Sequence, residues 1–109
     1  SLGGALAYTI DLLAPGKLRV LRGKRAGAEI DVLEAVTLGS YDGCSLYLPD
    51  AGVAREHARL QRRSGQFVLE ALDPALPTLL DGKALLPNAP VPIDKGQQIE
   101  MGQAIVELN

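Results

Sequence analysis

Among 109 residues there is one cysteine, Cys44, and one histidine, His57. A lone cysteine excludes an intrachain disulfide and fits a reducing compartment. A His/Cys metal site is excluded on the same count unless carboxylates supply most ligands. No apolar run approaches the roughly 20 residues a membrane helix requires. Lys and Arg number 11 against 13 Asp and Glu, a net charge of −2. The basic excess that nucleic-acid binding favours is missing. No segment carries a sustained 3.6-residue apolar period with caps, so no helix is expected from Lys17 onward, and only Leu2 to Leu13 leaves room for a short one. Without a helix to open, no Gly-rich phosphate loop can be built. No internal repeat recurs at a fixed period. The chain opens on Ser1 rather than Met. The expectation is an excised fragment or a tag remnant, which leaves room for a membrane segment elsewhere in a parent protein.

What is present reads as one globular domain. Hydrophobic residues make up 47% of the chain, too many for a segment that stays unfolded. Residues 1–16 read as a lead-in, whether tag remnant, linker or edge element. The stretch Leu2 to Leu13 is apolar but lacks the basic start of a signal peptide. Pro15-Gly16 closes it with a turn, and residues 17–109 form the domain. From Lys17 onward, pieces of four to seven residues are bounded by Gly, Pro, Asp or Asn. They are Leu18–Arg22, Ala28–Val32, Ala35–Leu38, Ser45–Leu48, His57–Arg62 and Gln66–Glu70. Alternation between such breakers is the mark of half-buried strands. Asp81-Gly82 between Thr78–Leu80 and Lys83–Leu85 predicts a hairpin, and Gly102-Gln103 between Gln97–Met101 and Ala104–Leu108 a second. Pro87 to Pro92 reads as a connection, since proline is kept out of central strands. The fold class is all-β, a sandwich of about eleven short strands, the count resting partly on the likeness given below.

Candidate chemistry is sparse. A Cys44–His57 nucleophile pair is conceivable, but Cys44 lies beside a strand in an apolar context, where a buried inert thiol is commoner. His57 follows a turn, Asp50 to Arg55. Its plain role is an imidazole nitrogen bonded to a loop carbonyl; a ligand or base role lacks an acidic or nucleophilic partner nearby in sequence. Arg55, Arg59, Arg62 and Arg63 form a basic run, with Lys24 and Arg25 another. On a strand, Arg59 and Arg63 would share a face with His57. A solvated face balanced by Glu29, Glu34 and Glu56 is preferred to a patch for an acidic partner or phosphate.

The order of these pieces from Lys17 to Asn109 resembles the forkhead-associated domain. Gly23 and Gly27 stand in the first turn, before Ala28-Glu29-Ile30. Leu38-Gly39-Ser40 stands where that family has an apolar residue, Gly and Arg. Cys44 to Asp50 resembles its Cys-Asp-Ile-x-Leu-x-Asp, and Val53 to Leu60 its Val-Ser-Arg-x-His-Ala-x-Ile. Leu80 to Leu85 resembles its Val-Asn-Gly-x-x-Leu, and Ile93 to Gly102 its Leu-x-x-Gly-Asp-x-Ile-x-Leu-Gly. The resemblance implies a non-catalytic module that binds proteins through loops Ser40 to Cys44, Asp50 to Arg55 and Asp73 to Thr78. Its candidate interaction residues are Ser40, Tyr41, Asp50, Ala54, Arg55 and Thr78. Gly39, His57 and Gly102 would be scaffold, with Asp50 counted there too. No cofactor and no metal are implied.

The family's phosphate holders are an Arg, a Ser and an Asn, and all three positions depart here. They read Ser40, Ala54 and an Asn-free stretch, Asp73 to Thr78. A phosphate dianion needs charge-assisted donors. Losing an Arg pairing costs about 2–5 kcal/mol and a hydroxyl about 1 more, roughly a hundred-fold to ten-thousand-fold in affinity. The pattern is further similar to the N-terminal cytoplasmic domain of the type III secretion inner-membrane ring protein (the YscD/PscD/HrpQ class). That subgroup implies a phosphate-independent adaptor on the cytoplasmic side of the bacterial inner membrane, within a larger membrane protein. Its partners would be cytosolic sorting-platform components and ring neighbours. The alternative is a phosphothreonine-peptide reader in bacterial signalling, with Arg55, Ser40 and Thr78 as substitute donors.

Overall fold

A computed structural model describes residues 16–109. The lead-in expected over 1–16 therefore lies outside the described residues, except Gly16, which opens the first strand. Eleven strands follow: β1 Gly16–Arg22, β2 Glu29–Val32, β3 Ala35–Gly39, β4 Leu46–Tyr47, β5 Ala58–Arg63, β6 Gln66–Ala71, β7 Thr78–Leu80, β8 Lys83–Ala84, β9 Val91–Ile93, β10 Gln98–Met101 and β11 Ala104–Leu108. There is no helix among the described residues.

The period-two pattern becomes two faces. In β11, Ala104, Val106 and Leu108 are buried while Ile105 and Glu107 are half-exposed. In β6, Phe67, Leu69 and Ala71 turn inward. One sheet runs β2-β1-β11-β10-β7-β8 and the other β4-β3-β5-β6-β9. All pairs are antiparallel except β3 with β4. Their inner faces share one core, including Leu18, Val20, Ile99, Met101, Val106 and Leu108 from the first sheet and Leu38, Leu46, Leu60, Leu69 and Ile93 from the second. Each such side chain, fully buried, contributes about 1.5–3 kcal/mol.

Both expected hairpins form. Asp81 and Gly82 have φ of +48° and +83°, the conformation of a tight turn that suits the right-handed twist of its strands. Gly102 has φ +53°, and a Cβ there would run into the carbonyl of Ala51. The expected connection over Pro87 to Pro92 differs at its end, where β9 pairs with β6 and sets Pro92 opposite Val68. β9 is the outermost strand of its sheet, so the missing proline N–H can face outward unpaired without loss.

Turns from both sheets meet at one end. Lys24 N–H in the β1–β2 turn donates to Asp50 Oδ2 at 2.7 Å. Gln103 N–H in the β10–β11 turn donates to Ala51 O at 3.0 Å. The three longer loops expected to carry recognition lie between β3 and β4, β4 and β5, and β6 and β7.

Candidate interaction face

The β3–β4 loop (40–45) and the β4–β5 loop (48–57) are held edge to edge. Ser40 N–H donates to Ala54 O at 2.9 Å, and Tyr41 N–H to Arg55 O at 3.3 Å. Gly39 permits the approach, since a Cβ there would overlap the Arg55 carbonyl. Cys44 Sγ donates to that carbonyl at 3.1 Å. The Arg55 guanidinium lies 4.5 Å from the centre of the Tyr41 ring. This distance allows a cation–π contact of about 0.5–1 kcal/mol at an exposed site. Tyr41 and Arg55 are exposed and Ser40 and Ala54 half-buried. These four residues form one continuous face.

The β6–β7 loop (72–77) is set by Asp73. Its Oδ1 accepts from Ala75 N–H and Leu76 N–H, both at 2.8 Å. Those bonds, first Leu76 and then Ala75, hold its pKa below the usual carboxylate value. His57 joins this loop to the others. Its Nδ1 accepts from Ala54 N–H at 3.0 Å and its Nε2 lies 3.0 Å from Pro77 O. Burial pushes the imidazole pKa down, partly offset by the Pro77 carbonyl and by Asp73.

Two residues expected to face a partner turn inward instead. Thr78 opens β7 and is completely buried, its Oγ1 without a hydrogen-bond partner. Asp50 is buried against Gly23 and binds Lys24 N–H. It ties two turns together, which is the scaffold role also expected of it. The expected sharing of a face by His57, Arg59 and Arg63 also fails. His57 precedes β5 and is fully buried, while Arg59 and Arg63 are exposed. The basic run is dispersed as well. Arg59 meets Glu70 at 3.7 Å and Arg62 stacks 4.6 Å from the Phe67 ring.

Cys44 and His57 do not form a nucleophile pair. Both ring nitrogens are engaged by the backbone, and burial raises the Cys44 thiol pKa, which suppresses the thiolate. Among the described residues no three His, Cys, Asp or Glu side chains are grouped to hold a metal. Sequence reasoning missed the Asp73 turn, whose signal was the Asp-Pro-x-x spacing of a carboxylate that caps the amides after it.

Residues 36–102, more than half of the chain, match the family model of the FHA domain. An FHA domain-containing protein of Arabidopsis thaliana is 29% identical over 90 residues, 80% of this chain and 23% of that protein. The chain thus spans under a quarter of that relative's length. The solution structure of the FHA domain of an Arabidopsis thaliana hypothetical protein is similar with a TM-score of 0.82 at 26% identity, covering 90% of this chain and 86% of that one. The cytoplasmic domain of the type III secretion sorting-platform protein PscD from P. aeruginosa gives 0.73 at 24% identity, covering 88% and 80%. An FHA domain solved in a study of phosphothreonine-dependent interactions gives 0.76 at 18%, covering 88% and 96%. The last two are likenesses of fold.

Proposed function

The chain belongs to the forkhead-associated (FHA) domain family, and from that premise we propose that it is a phosphate-independent adaptor at the cytoplasmic side of a bacterial type III secretion inner-membrane ring. The observation that carries this reading is the donor set of the loop face. Where the resemblance calls for Arg, Ser and Asn, there stand Ser40, Ala54 and no Asn in the β6–β7 loop. Thr78 is withdrawn into the core. One guanidinium remains, Arg55, and it lies over Tyr41. An aromatic ring beside an exposed Arg is a surface that favours protein partners, since both residue types are enriched at interface hot spots. The fold likeness to the PscD domain, from a sorting-platform protein, supports sorting-platform components as those partners, and ring neighbours are proposed beside them. The domain acts by binding and performs no catalysis in this reading.

A phosphothreonine-peptide reader is the second reading. It is favoured by the pairing of Ser40 N with Ala54 O and Tyr41 N with Arg55 O, which brings the Ser40 hydroxyl and the Arg55 side chain to one face. Titration with a degenerate phosphothreonine peptide library, followed by backbone amide NMR shifts, separates the two. The adaptor reading expects no specific shift up to about 1 mM peptide. Saturating shifts confined to the three loops at micromolar peptide, absent without the phosphate, would establish the reader instead. Capture of a sorting-platform component is expected from the intact domain. Undiminished capture by a variant with all three loops replaced would sink the adaptor proposal.

A further inference from the structure

The end of the sandwich away from the β4–β5 loop carries an apolar groove. β1 runs from Gly16 toward the Lys24 turn, and β10 from Gln98 toward the Gln103 turn. Both turns close on the β4–β5 loop, through Asp50 and Ala51. Gly16 and Gln97 therefore lie at the opposite end. There Leu80, Leu85, Leu86 and Val91 line a cavity of about 400 Å³, with Lys83 and Gln97 completing its wall. Leu80, Leu85 and Val91 are half-buried and pack on the core, so the groove continues it outward. Leu86 beside them is 77% exposed. The neighbouring edge strand, β9, offers little backbone, because Pro92 has no N–H. An occupant of this groove is held by apolar side chains.

The chain carries such an occupant. Residues 1–15 lie outside the described residues, and they place Leu6, Tyr8, Ile10 and Leu12 at alternate positions. In extended form these four share one face. Asp11, the one charged side chain in that stretch, falls on the other face, so no charge has to enter the groove. Lys83 is exposed beside the groove and complements it. Pro15 favours extended backbone at Ala14.

The reach is short. Gly16 is buried, with no room for a Cβ between it and the Phe67 ring. Lys17 N–H donates to Asn109 O, and Leu108 N–H to Gln97 O. Two strand spacings, about 10 Å, thus separate the start of β1 from Gln97. Residues 13–15, extended, cover about 10 Å. Leu12 is then the first of the alternating set to reach the groove, with Ile10 and Tyr8 next along it. A short tether holds such a segment at an effective concentration on the order of millimolar. A weak contact is enough to fill the site.

We propose that the groove is the docking site of the chain's own residues Leu6 to Leu12, bound extended with Tyr8, Ile10 and Leu12 turned inward. The proposal goes beyond the adaptor reading and does not depend on it, since the two surfaces lie at opposite ends.

The test uses the full chain with labelled methyl groups and reads NOEs from the Tyr8 ring. Contacts to the methyls of Leu85, Leu86 and Val91 are expected. Ile10→Asp would carry an unpaired charge into an apolar site. It should abolish those contacts and shift the groove methyls, while the core amide of Val106 stays in place. Ile10→Leu should keep them. Leu86→Asp alters an exposed position and should abolish them from the groove side. A Tyr8 ring without contact to the groove methyls in the parent chain would overturn the proposal. So would contacts that survive Ile10→Asp. Isotope-filtered spectra of mixed labelled and unlabelled chain separate contacts within one chain from those between chains. Contacts found between chains alone would give the groove to a second copy and overturn the proposal as well. None of these readouts involves the Tyr41–Arg55 face, so the adaptor reading stands or falls on its own experiments.

Discussion

Gly39 sets the distance between the β3–β4 and β4–β5 loops. Its Cα faces the Arg55 carbonyl so closely that a methyl group would overlap it. Gly39→Ala should therefore push the β4–β5 loop away and break the Ser40–Ala54 and Tyr41–Arg55 bonds. Strain of this kind costs about 1–3 kcal/mol. A urea unfolding midpoint that does not move would show that the loop yields freely. Truncating His57 to Ala leaves Ala54 N–H and Pro77 O without their partner. Each group left unsatisfied costs about 1–3 kcal/mol; both sites are only part-buried, so the lower end applies and a fall of roughly 10 °C in Tm is expected. An unchanged Tm would mean that water replaces the ring at no cost. At this scale the sequence was legible for His57, whose place after a turn suggested a bond to a loop carbonyl. It was misleading for Thr78 and pointed both ways for Asp50, which was expected both in a recognition loop and as scaffold. Both sit among turn residues, yet both point inward, because which side chain a turn buries depends on the strand that packs over it. That strand lies far away in sequence: β1 leads to Lys24 over Asp50, and β10 pairs Met101 with Thr78.

Elements were easier to read than single side chains, since each strand repeats its message every two residues. Hairpins were easiest. Asp81-Gly82 fixes both a turn and a register, and Leu79 pairs with Ala84 as such a turn requires. β9 was hidden because its three residues include Pro92, and only its position at a sheet edge makes that proline tolerable. The hairpin is also pinned by charge. Asp81 Oδ1 accepts from Gln98 N–H at 2.8 Å and Oδ2 from Gln97 Nε2 at 3.0 Å. These bonds, Gln98 first, hold its carboxyl below the ordinary value of 3.8. A carboxylate whose folded pKa is depressed stabilises above its unfolded value, and that support is lost as pH falls through the folded value. Asp81→Asn keeps an oxygen acceptor and a residue tolerant of positive φ. Its Tm should lie below the parent's near neutral pH, where the carboxylate's support is present, and converge on it as pH falls below about 4. A parallel acid decline in both proteins would remove Asp81 from the account. His57 shows the same sign at higher pH. Its lowered pKa means that stability is full above 6.5 and declines as pH drops from there toward the folded value.

At the scale of the molecule, the sandwich separates the core that holds the fold from the loop end proposed to meet a partner. The core spans both sheets without a gap, so removing one of its members affects everything attached to it. Leu60 is fully buried in β5, between β3 and β6. Leu60→Ala should cost about 2–5 kcal/mol. That is a large share of the roughly 5–15 kcal/mol available to a domain of this kind. Tyr41 lies at the other extreme, 43% exposed and contacting Arg55 from the solvent side. Tyr41→Ala should change stability by no more than about 1 kcal/mol. The pair makes a discriminating experiment if partner capture is measured alongside urea unfolding. The adaptor reading expects Tyr41→Ala to lose capture with the unfolding midpoint nearly in place. It expects Leu60→Ala to retain capture in proportion to the fraction that remains folded. Full capture by a folded Tyr41→Ala protein would move the binding surface away from the loop end and onto a sheet face. A Leu60→Ala protein that stays folded yet fails to bind would show that loop geometry is transmitted through the core, rather than fixed by the bonds among the loops themselves.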